Sequence, residues 1–293
     1  MKNRKVHLLV IIAVLGAVVG FGQSGGRRSE SPVKATVLTT SSAAKSRSSS
    51  TAAVRNDVLK NELSWTFGGK QQRGWYLYEL LLSETLKTNE DAAGDDFAAA
   101  VSKWQKRRGL GASGMLDEDS WMAMVSHWQG NRLKNRAAAT PDQLLTAPAS
   151  DFYDPSRAVE NRQVERNTYE AYKRMIAAAI ADRSLDLAHT SSGELAPKEK
   201  YFKIISAFRS REYQEMLRRK SPNAGSAGLA VNNSPHFTGR ALDIYVGGDP
   251  VDTKDSNRAI QVNTRAYRWL VRNAERFGFR PYFYEPWHWE YVK

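Results

Sequence analysis

The clearest helical pattern lies in the first half of the chain. Phe97, Val101 and Trp104 recur at i, i+4 and i+7, which places them on one face of a predicted helix. Gly109 comes just after a basic run and is typical of a helix C-terminus. Asp117 is typical of an N-cap and predicts that a second helix begins there. The stretch around these residues is therefore predicted to be a small all-α domain.

Helices and strands alternate irregularly in the second half of the chain. Apolar periodicity predicts helices over residues 159–183, 210–220 and 265–277, strands over residues 202–208 and 241–246, and a final strand or hairpin over residues 280–292. Residues 221–235 are rich in Gly, Asn, Ser and Pro, which predicts a loop. Together these elements predict an α+β fold, in which helices pack on a small antiparallel sheet.

The N-terminus has the pattern of an export signal. Lys2, Arg4 and Lys5 precede an apolar run over residues 8–21, which is shorter than a membrane span needs and typical of a signal-peptide core. The segment is either removed or kept as an anchor, but no cysteine is present to carry a lipid. Export to the periplasm or the cell envelope is therefore predicted.

Composition suggests where the predicted parts of the chain meet. Ser, Thr and Ala dominate the segment behind the signal, which cannot bury enough apolar surface to become ordered. A second stretch, rich in Pro and Ala, separates the helical part from the mixed part. The predicted parts are a signal peptide or membrane anchor (1–26), a disordered linker (27–56), a helical domain (57–130), a linker (131–155) and a catalytic domain (156–293).

The charge and the amino-acid usage limit the classes of function. The formal net charge is +12 and the pI is about 9.8, which favours an anionic partner such as nucleic acid, anionic lipid or a cell-wall polymer. The export signal argues against nucleic acid. The chain has no cysteine, which excludes cysteine-ligated zinc, a cysteine nucleophile and disulfides.

Candidate metal chemistry lies near two histidines in the second half of the chain. His236 precedes Asp243 by seven positions, and Asp243 lies within a predicted strand, where an unpaired carboxylate is costly. A catalytic zinc takes three protein ligands from such residues. His236, Asp243 and His288 are therefore the predicted ligands, with Glu285 available as the base.

The spacing of Glu285 and His288 raises a geometric difficulty. An offset of three places two side chains on opposite faces of a regular strand. Pro286 and the surrounding aromatic residues argue against a helix. A bend or bulge at Pro286 and Trp287 is therefore predicted, which would turn both groups to one side.

A first resemblance concerns roughly residues 60–128. Their pattern of apolar residues, glycines and one acidic cap resembles the small helical peptidoglycan-binding domain of many cell-wall hydrolases, and it consists of Ala100, Val101, Trp104, Gln105, Gly109, Leu110, Gly114, Leu116, Asp117, Ser120 and Trp121. The resemblance implies a domain that binds the cell wall. The alternative is a three-helix structural unit without a ligand.

A second resemblance covers about residues 165–293. One motif, S-x-H-x-x-G-x-A-x-D, is present as Ser234, His236, Gly239, Ala241 and Asp243, and the other, E-x-W-H, as Glu285, Trp287 and His288. These two motifs resemble those of the zinc D-alanyl-D-alanine carboxypeptidases of the VanY type. Residues 207–210, followed by Gln214, resemble that family's Y-R-S segment, with Phe208 in place of Tyr.

The VanY resemblance implies a zinc peptidase that acts on peptidoglycan stem peptides and trims their terminal D-Ala. One zinc would be bound by the three predicted ligands, and the implied roles of the other residues are general base (Glu285), oxyanion stabiliser (Arg209) and substrate binding (Ser234 and Gln214). Nucleic acid is not an implied partner, and a membrane is one only through a retained N-terminal anchor. D,D and L,D specificity stay open, as do an endopeptidase of the same fold and a non-catalytic wall-binding protein.

Overall fold

A computed structural model of the protein describes residues 50–220 and 233–293. The predicted signal segment and nearly all of the predicted disordered linker lie outside these residues. The helices are α1 (Thr51–Glu62), α2 (Glu79–Leu86), α3 (Asp95–Arg107), α4 (Glu118–Gly130), α5 (Arg166–Ala181), α6 (Arg211–Lys220), α7 (Asp255–Val262) and α8 (Arg265–Asn273). The strands are β1 (Ser64–Phe67), β2 (Lys70–Arg73), β3 (Leu144–Thr146), β4 (Gln163–Glu165), β5 (Ile204–Ser206), β6 (Ala241–Ile244), β7 (Phe279–Pro281) and β8 (His288–Tyr291).

The described strands form three antiparallel sheets. β1 pairs with β2, β3 pairs with β4, and four strands form a sheet in the order β5-β6-β8-β7. Helices packed on small antiparallel sheets confirm the predicted α+β class. None of the helices in the described residues is long and apolar enough to cross a membrane.

The sequence predicts that the N-terminal part is all-α. This prediction is wrong, because β1 and β2 form a hairpin there. Gly68 and Gly69 form its two-residue turn with φ of 57° and 74°. Positive φ at both central positions suits the tight turns that connect paired strands, and glycine adopts it without steric cost. The Gly-Gly pair between Phe67 and Lys70 was the sequence signal for this hairpin.

Helix α1 begins at Thr51, before the predicted start of the helical domain at residue 57. The Ser50 hydroxyl caps it by accepting a hydrogen bond from the Ala53 backbone N–H. The buried Asn56 side chain bonds to the Gly114 carbonyl and to the Leu116 N–H, at 2.9 and 2.7 Å. The disordered linker therefore cannot extend to residue 56, and this boundary of the prediction is corrected to about residue 50.

Residues 51–133, called here the helical region, share a core with the end of the chain. Its buried side chains include Trp65 and Trp75, which belong to a stretch without an assigned role in the sequence analysis. Phe283 lies in the same cluster, with ring centroids 4.9 Å from Phe67 and 5.8 Å from Trp128. The described residues accordingly belong to one compact unit.

The segment predicted to be a linker, residues 131–155, contains regular structure and core residues. It contains strand β3, and Leu133, Leu144, Ala147 and Phe152 are buried. β4 pairs with β3, so residues 163–165 belong to a strand and the following helix begins at Arg166. The predicted helix over residues 159–183 is therefore corrected to α5, and the Glu165 side chain caps its first turn.

Side-chain alternation on the four-stranded sheet separates a core face from a polar face. Leu242 and Ile244 of β6 and Trp289 of β8 belong to the main apolar core, together with buried residues of α5 and α8. Successive side chains on a strand point to opposite faces, so Asp243 and His288 point the other way. The sheet thus places both of these residues on one polar face.

Candidate metal centre

Strand pairing brings Asp243 next to His288. The two residues are register partners between β6 and β8. Asp243 is 2% exposed and His288 is 3% exposed. The Asp243 Oδ1 atom lies 2.9 Å from His288 Nδ1. A carboxylate within a strand thus has the partner that its burial requires.

His236 reaches the same place from a 3₁₀ turn over residues 235–238. Its ring Nδ1 donates a hydrogen bond to the Ala207 carbonyl at 2.6 Å, which leaves Nε2 with the free lone pair. Nε2 lies 3.3 Å from Asp243 Oδ2. Gly239 ends the turn with φ of 66°, and a Cβ there would lie 2.9 Å from the Glu165 backbone nitrogen. The glycine of this motif is therefore required by the backbone.

His288 presents the opposite ring nitrogen. Its Nε2 lies 3.2 Å from Glu290 Oε1, and its Nδ1 faces Asp243. His236, Asp243 and His288, the metal cluster, offer three ligand atoms within 4.8 Å of one another. Two imidazole nitrogens and one carboxylate oxygen are a donor set that suits a divalent transition metal. The three predicted ligands thus lie together in a group that could hold a metal ion.

The two histidines differ in their electrostatic surroundings. Burial, together with the nearby Arg209 charge, lowers the pKa of His236 to about 4, so this imidazole is neutral at neutral pH. Burial also acts to lower the pKa of His288, but hydrogen bonds to Asp243 and Glu290 outweigh it and raise that pKa to about 9. Metal ligands must be deprotonated. Metal binding at this cluster would therefore release a proton from His288.

Glu285 lies at the bend that the sequence analysis predicted. Residues 286 and 287 form a turn, closed by the His288 N–H donating to the Glu285 carbonyl at 2.9 Å, and β8 begins only at His288. The Glu285 side chain is 7% exposed. Burial raises its pKa to about 7, while the charge of His288 acts in the opposite direction. The predicted bend is confirmed, and Glu285 interacts electrostatically with the metal cluster.

Arg209, the predicted oxyanion stabiliser, lies against the metal cluster just after β5. Its Nη2 donates to Asp243 Oδ2 at 2.5 Å, and its Nε donates to Ser206 Oγ at 2.8 Å. Its backbone N–H donates to the His236 carbonyl at 3.2 Å. These bonds fix a cation beside the predicted ligands.

The two predicted substrate-binding residues, Ser234 and Gln214, differ in their hydrogen bonding. The Ser234 hydroxyl accepts a hydrogen bond from the His236 N–H at 3.3 Å and so starts the turn that contains His236. Gln214 of α6 is 1% exposed, and neither Nε2 nor Oε1 has a hydrogen-bond partner within the described part of the chain. A buried unpaired amide is costly. Gln214 therefore has hydrogen-bonding capacity left for a ligand.

Glu290 and Arg132 were not identified by the sequence analysis as parts of the site. Glu290 accepts hydrogen bonds from Arg132, with the Arg132 Nε 3.1 Å from Oε1. Glu290 could have been found, since it follows His288 by two positions and must share its face of the strand. No local pattern pointed to Arg132, which is 158 residues away in sequence.

The comparisons with known proteins assign the class. The mixed fold and the site belong to a peptidase domain, because residues 161–293 match the family model of VanY, described as D-alanyl-D-alanine carboxypeptidase. The match agrees with the family that the two motifs predicted. None of the curated proteins compared with the chain matches it.

One solved structure with a detectable likeness is that of the LdcB LD-carboxypeptidase, described as revealing the molecular basis of peptidoglycan recognition. It is 21% identical, and the match covers 53% of this chain and 70% of that chain, with a TM-score of 0.36. A likeness this distant does not assign a substrate.

Proposed function

We propose that the protein is a zinc-dependent carboxypeptidase that removes the terminal D-amino acid, D-Ala, from peptidoglycan stem peptides. The observation that carries the proposal is the buried metal cluster with a separate buried glutamate, Glu285, beside it. The match of residues 161–293 to the VanY family model gives the reaction class. Together they favour metal-assisted hydrolysis of a peptide bond.

One zinc would be held by Nε2 of His236, a carboxylate oxygen of Asp243 and Nδ1 of His288. These two ring nitrogens face the cluster, since Nδ1 of His236 bonds to the Ala207 carbonyl and Nε2 of His288 lies against Glu290. When bound, zinc supplies Lewis-acid chemistry, polarising a carbonyl oxygen and lowering the pKa of water towards about 7. Three protein ligands leave a further coordination position open, as catalysis needs.

Glu285 would act as the general base. It would take a proton from the attacking water as the water oxygen bonds to the scissile carbonyl carbon. The proton would then pass to the leaving amine as the carbon–nitrogen bond breaks. A base with a pKa of about 7, as burial gives Glu285, is matched to proton transfer at neutral pH.

Arg209 and Gln214 would bind the reacting end of the peptide. Arg209 is a fixed cation at the cluster, so it can stabilise negative charge that develops on the carbonyl oxygen. The unpartnered amide of Gln214 is available to bind the terminal carboxylate or the neighbouring peptide group. Ser234 would contribute its hydroxyl hydrogen or its remaining lone pair, because one lone pair already accepts from the His236 N–H.

The remaining features are consistent with action on an exported, anionic polymer. The net charge of +12 favours the anionic cell wall, and the N-terminal pattern suits an exported protein. The partner would then be the peptidoglycan stem peptide, met in the periplasm or the cell envelope. A membrane would be contacted only through the N-terminal segment, if that segment is retained.

Digestion of purified muropeptides tests the proposal and separates its rivals. The full chain with zinc is incubated with stem peptides that end in D-Ala-D-Ala or in a single D-Ala, and products are weighed by mass spectrometry. Loss of one alanine from the first peptide supports D,D activity, and loss from the second supports L,D activity. Cleavage only within the stem or a cross-link would make the protein an endopeptidase. A zinc-loaded protein that cleaves none of these peptides would favour the non-catalytic alternative.

A further inference from the structure

A second buried carboxylate lies behind the metal cluster, away from Glu285. Glu290 is 0% exposed and is two residues after His288 on β8, so both side chains share one face of the strand. Its Oε1 lies 3.2 Å from His288 Nε2, the ring nitrogen that does not face Asp243. This bond determines which nitrogen of His288 is left to coordinate.

Glu290 is held in place from the helical region. Arg132, two residues after α4 ends, donates to Glu290 Oε1 from Nε at 3.1 Å and also from Nη2. The neighbouring Leu133 N–H donates to Oε2 at 2.9 Å. The guanidinium lies over the Tyr282 ring, 3.9 Å from its centroid. Both carboxylate oxygens are thus satisfied, as a fully buried carboxylate requires.

The electrostatics agree with a charged Glu290. Arg132 places a guanidinium on Glu290 Oε1, and His288 Nε2 lies 3.2 Å from the same oxygen. A carboxylate can accept from an imidazole N–H and from a guanidinium together.

We propose that Glu290 and Arg132 are positioning residues of the metal centre, so that the helical region completes a site whose ligands all lie elsewhere. Glu290 fixes the ring of His288 with Nδ1 towards the cluster, and Arg132 fixes Glu290. Metal-ligating histidines commonly donate their second ring N–H to a carboxylate, which sets the tautomer and the orientation of the ring. The inference rests on the proposed zinc site.

The other histidine ligand shows why this dependence is specific. His236 is oriented by the Ala207 carbonyl, a backbone atom next to β5 that needs nothing from the helical region. Loss of the Arg132–Glu290 pair should therefore disturb His288 and leave the orientation of His236 unchanged. The expected defect is weakened metal binding with a changed ligand geometry.

The test measures metal binding in the full chain for Glu290→Gln, Arg132→Gln, Arg132→Lys and the control Lys134→Gln. Lys134 is an exposed cation two residues from Arg132. Zinc affinity is measured by competition with a chromophoric chelator, and Co²⁺ is substituted so that its visible absorption reports the ligand geometry. Folding is checked by circular dichroism.

Glu290→Gln and Arg132→Gln should each weaken zinc binding by about 10- to 100-fold, the usual effect of losing such a partner, and should alter the Co²⁺ spectrum. Arg132→Lys should recover part of the loss, since it keeps the charge but not the two-pronged contact. Lys134→Gln should match wild type. The double variant Glu290→Gln with Arg132→Gln should bind zinc only slightly less tightly than whichever single variant has the lower affinity, because Arg132 acts through Glu290.

The measurements distinguish a failure of the positioning inference from a failure of the proposed function. If wild type binds zinc and cleaves muropeptides, while folded Glu290→Gln binds zinc as tightly and with an unchanged Co²⁺ spectrum, the positioning inference is wrong and the proposed function stands. If wild type binds no zinc, both are wrong. Should Arg132→Gln fail to fold, Glu290→Gln and Arg132→Lys still decide, because Gln and Lys are close in size to the residues that they replace.

Discussion

The motif residues of the helical region and those of the sheet are used differently by the structure. In the helical region most of them pack or bond within the fold, although Trp121 Nε1 has no hydrogen-bond partner among the described residues. Trp104 and Trp121 are buried in the core, and the Gln105 amide bonds to Ser120 Oγ at 2.8 Å, to the Met115 carbonyl and to the Gly114 N–H. Every polar group of this Gln105 network has a partner, so the motif is explained by the fold.

The motif residues of the sheet bring ligand atoms together instead. His236, Asp243 and His288 form a buried cluster that could hold a metal ion, and the buried Gln214 amide has no partner among the described residues. Clusters of buried titratable groups with shifted pKa values are common at functional sites. The comparison teaches that a motif indicates function more strongly when it gathers titratable ligand atoms in one place than when its polar groups bond within the fold. Peptidoglycan binding by the helical region accordingly stays a prediction.

The largest expected effect is the loss of a metal ligand. His288→Ala removes one of three coordinating side chains and leaves Asp243 and Glu290 buried without their shared imidazole. The variant should lose stoichiometric zinc and all detectable peptidase activity, as measured by elemental analysis and muropeptide digestion. Full zinc occupancy in a folded His288→Ala protein would contradict the ligand assignment.

The second-largest effect is expected for Glu285, which is proposed to act in catalysis and not in metal binding. Glu285→Gln keeps the shape of the side chain but removes the basic carboxylate. Zinc content and thermal stability should stay near wild type, while kcat falls by about 10²- to 10⁴-fold, the usual contribution of a general base. Steady-state kinetics on a D-Ala-terminated muropeptide give the measurement. Turnover equal to that of wild type would mean that another group moves the proton.

The candidate site was largely predictable from sequence, because the three candidate metal ligands and Glu285 lie in two short motifs. The bend at Pro286 followed from strand geometry, and the structure has it. What the sequence could not reveal are contacts between distant residues. Arg132 reaches Glu290 across 158 positions, and Phe283 enters the core of the helical region. A hydrophobic residue in a pattern predicts burial, but not which element it will be buried against.

The same limit explains the errors at element boundaries. The predicted helix over residues 159–183 was too long, since the strand character of residues 163–165 depends on their pairing with β3. The linker expected over residues 131–155 contains that strand. Propensity is a weak guide where tertiary pairing decides the outcome.

The helical region should respond to mutation through stability alone. Trp121 is 0% exposed and its ring packs against Trp65, with centroids 5.1 Å apart. Trp121→Ala should lower the free energy of unfolding by about 3–5 kcal/mol. At temperatures where the variant stays folded, zinc content and turnover per folded molecule should equal those of wild type.

A matched control comes from an exposed apolar residue. Ile260 is 58% exposed, so Ile260→Ala should change the free energy of unfolding by no more than about 0.5 kcal/mol. Denaturant titration measures both variants. A loss of turnover in folded Trp121→Ala, with normal zinc content, would show that the motif of the helical region does more than specify a fold.

The smallest effect is expected from a comparison of two glycines in the motif of the helical region. Gly109 and Gly114 both have positive φ, at 72° and 75°. A Cβ at Gly109 would meet nothing within 4 Å, whereas a Cβ at Gly114 would lie 2.9 Å from the Ala98 carbonyl oxygen. Gly109→Ala should therefore cost only the strain of a left-handed conformation, about 1–2 kcal/mol. Gly114→Ala should cost more, because it adds the displacement of a helix backbone atom. Thermal unfolding of the two variants gives the difference directly, and an equal loss in both would mean that backbone strain alone explains why glycine is needed at these positions.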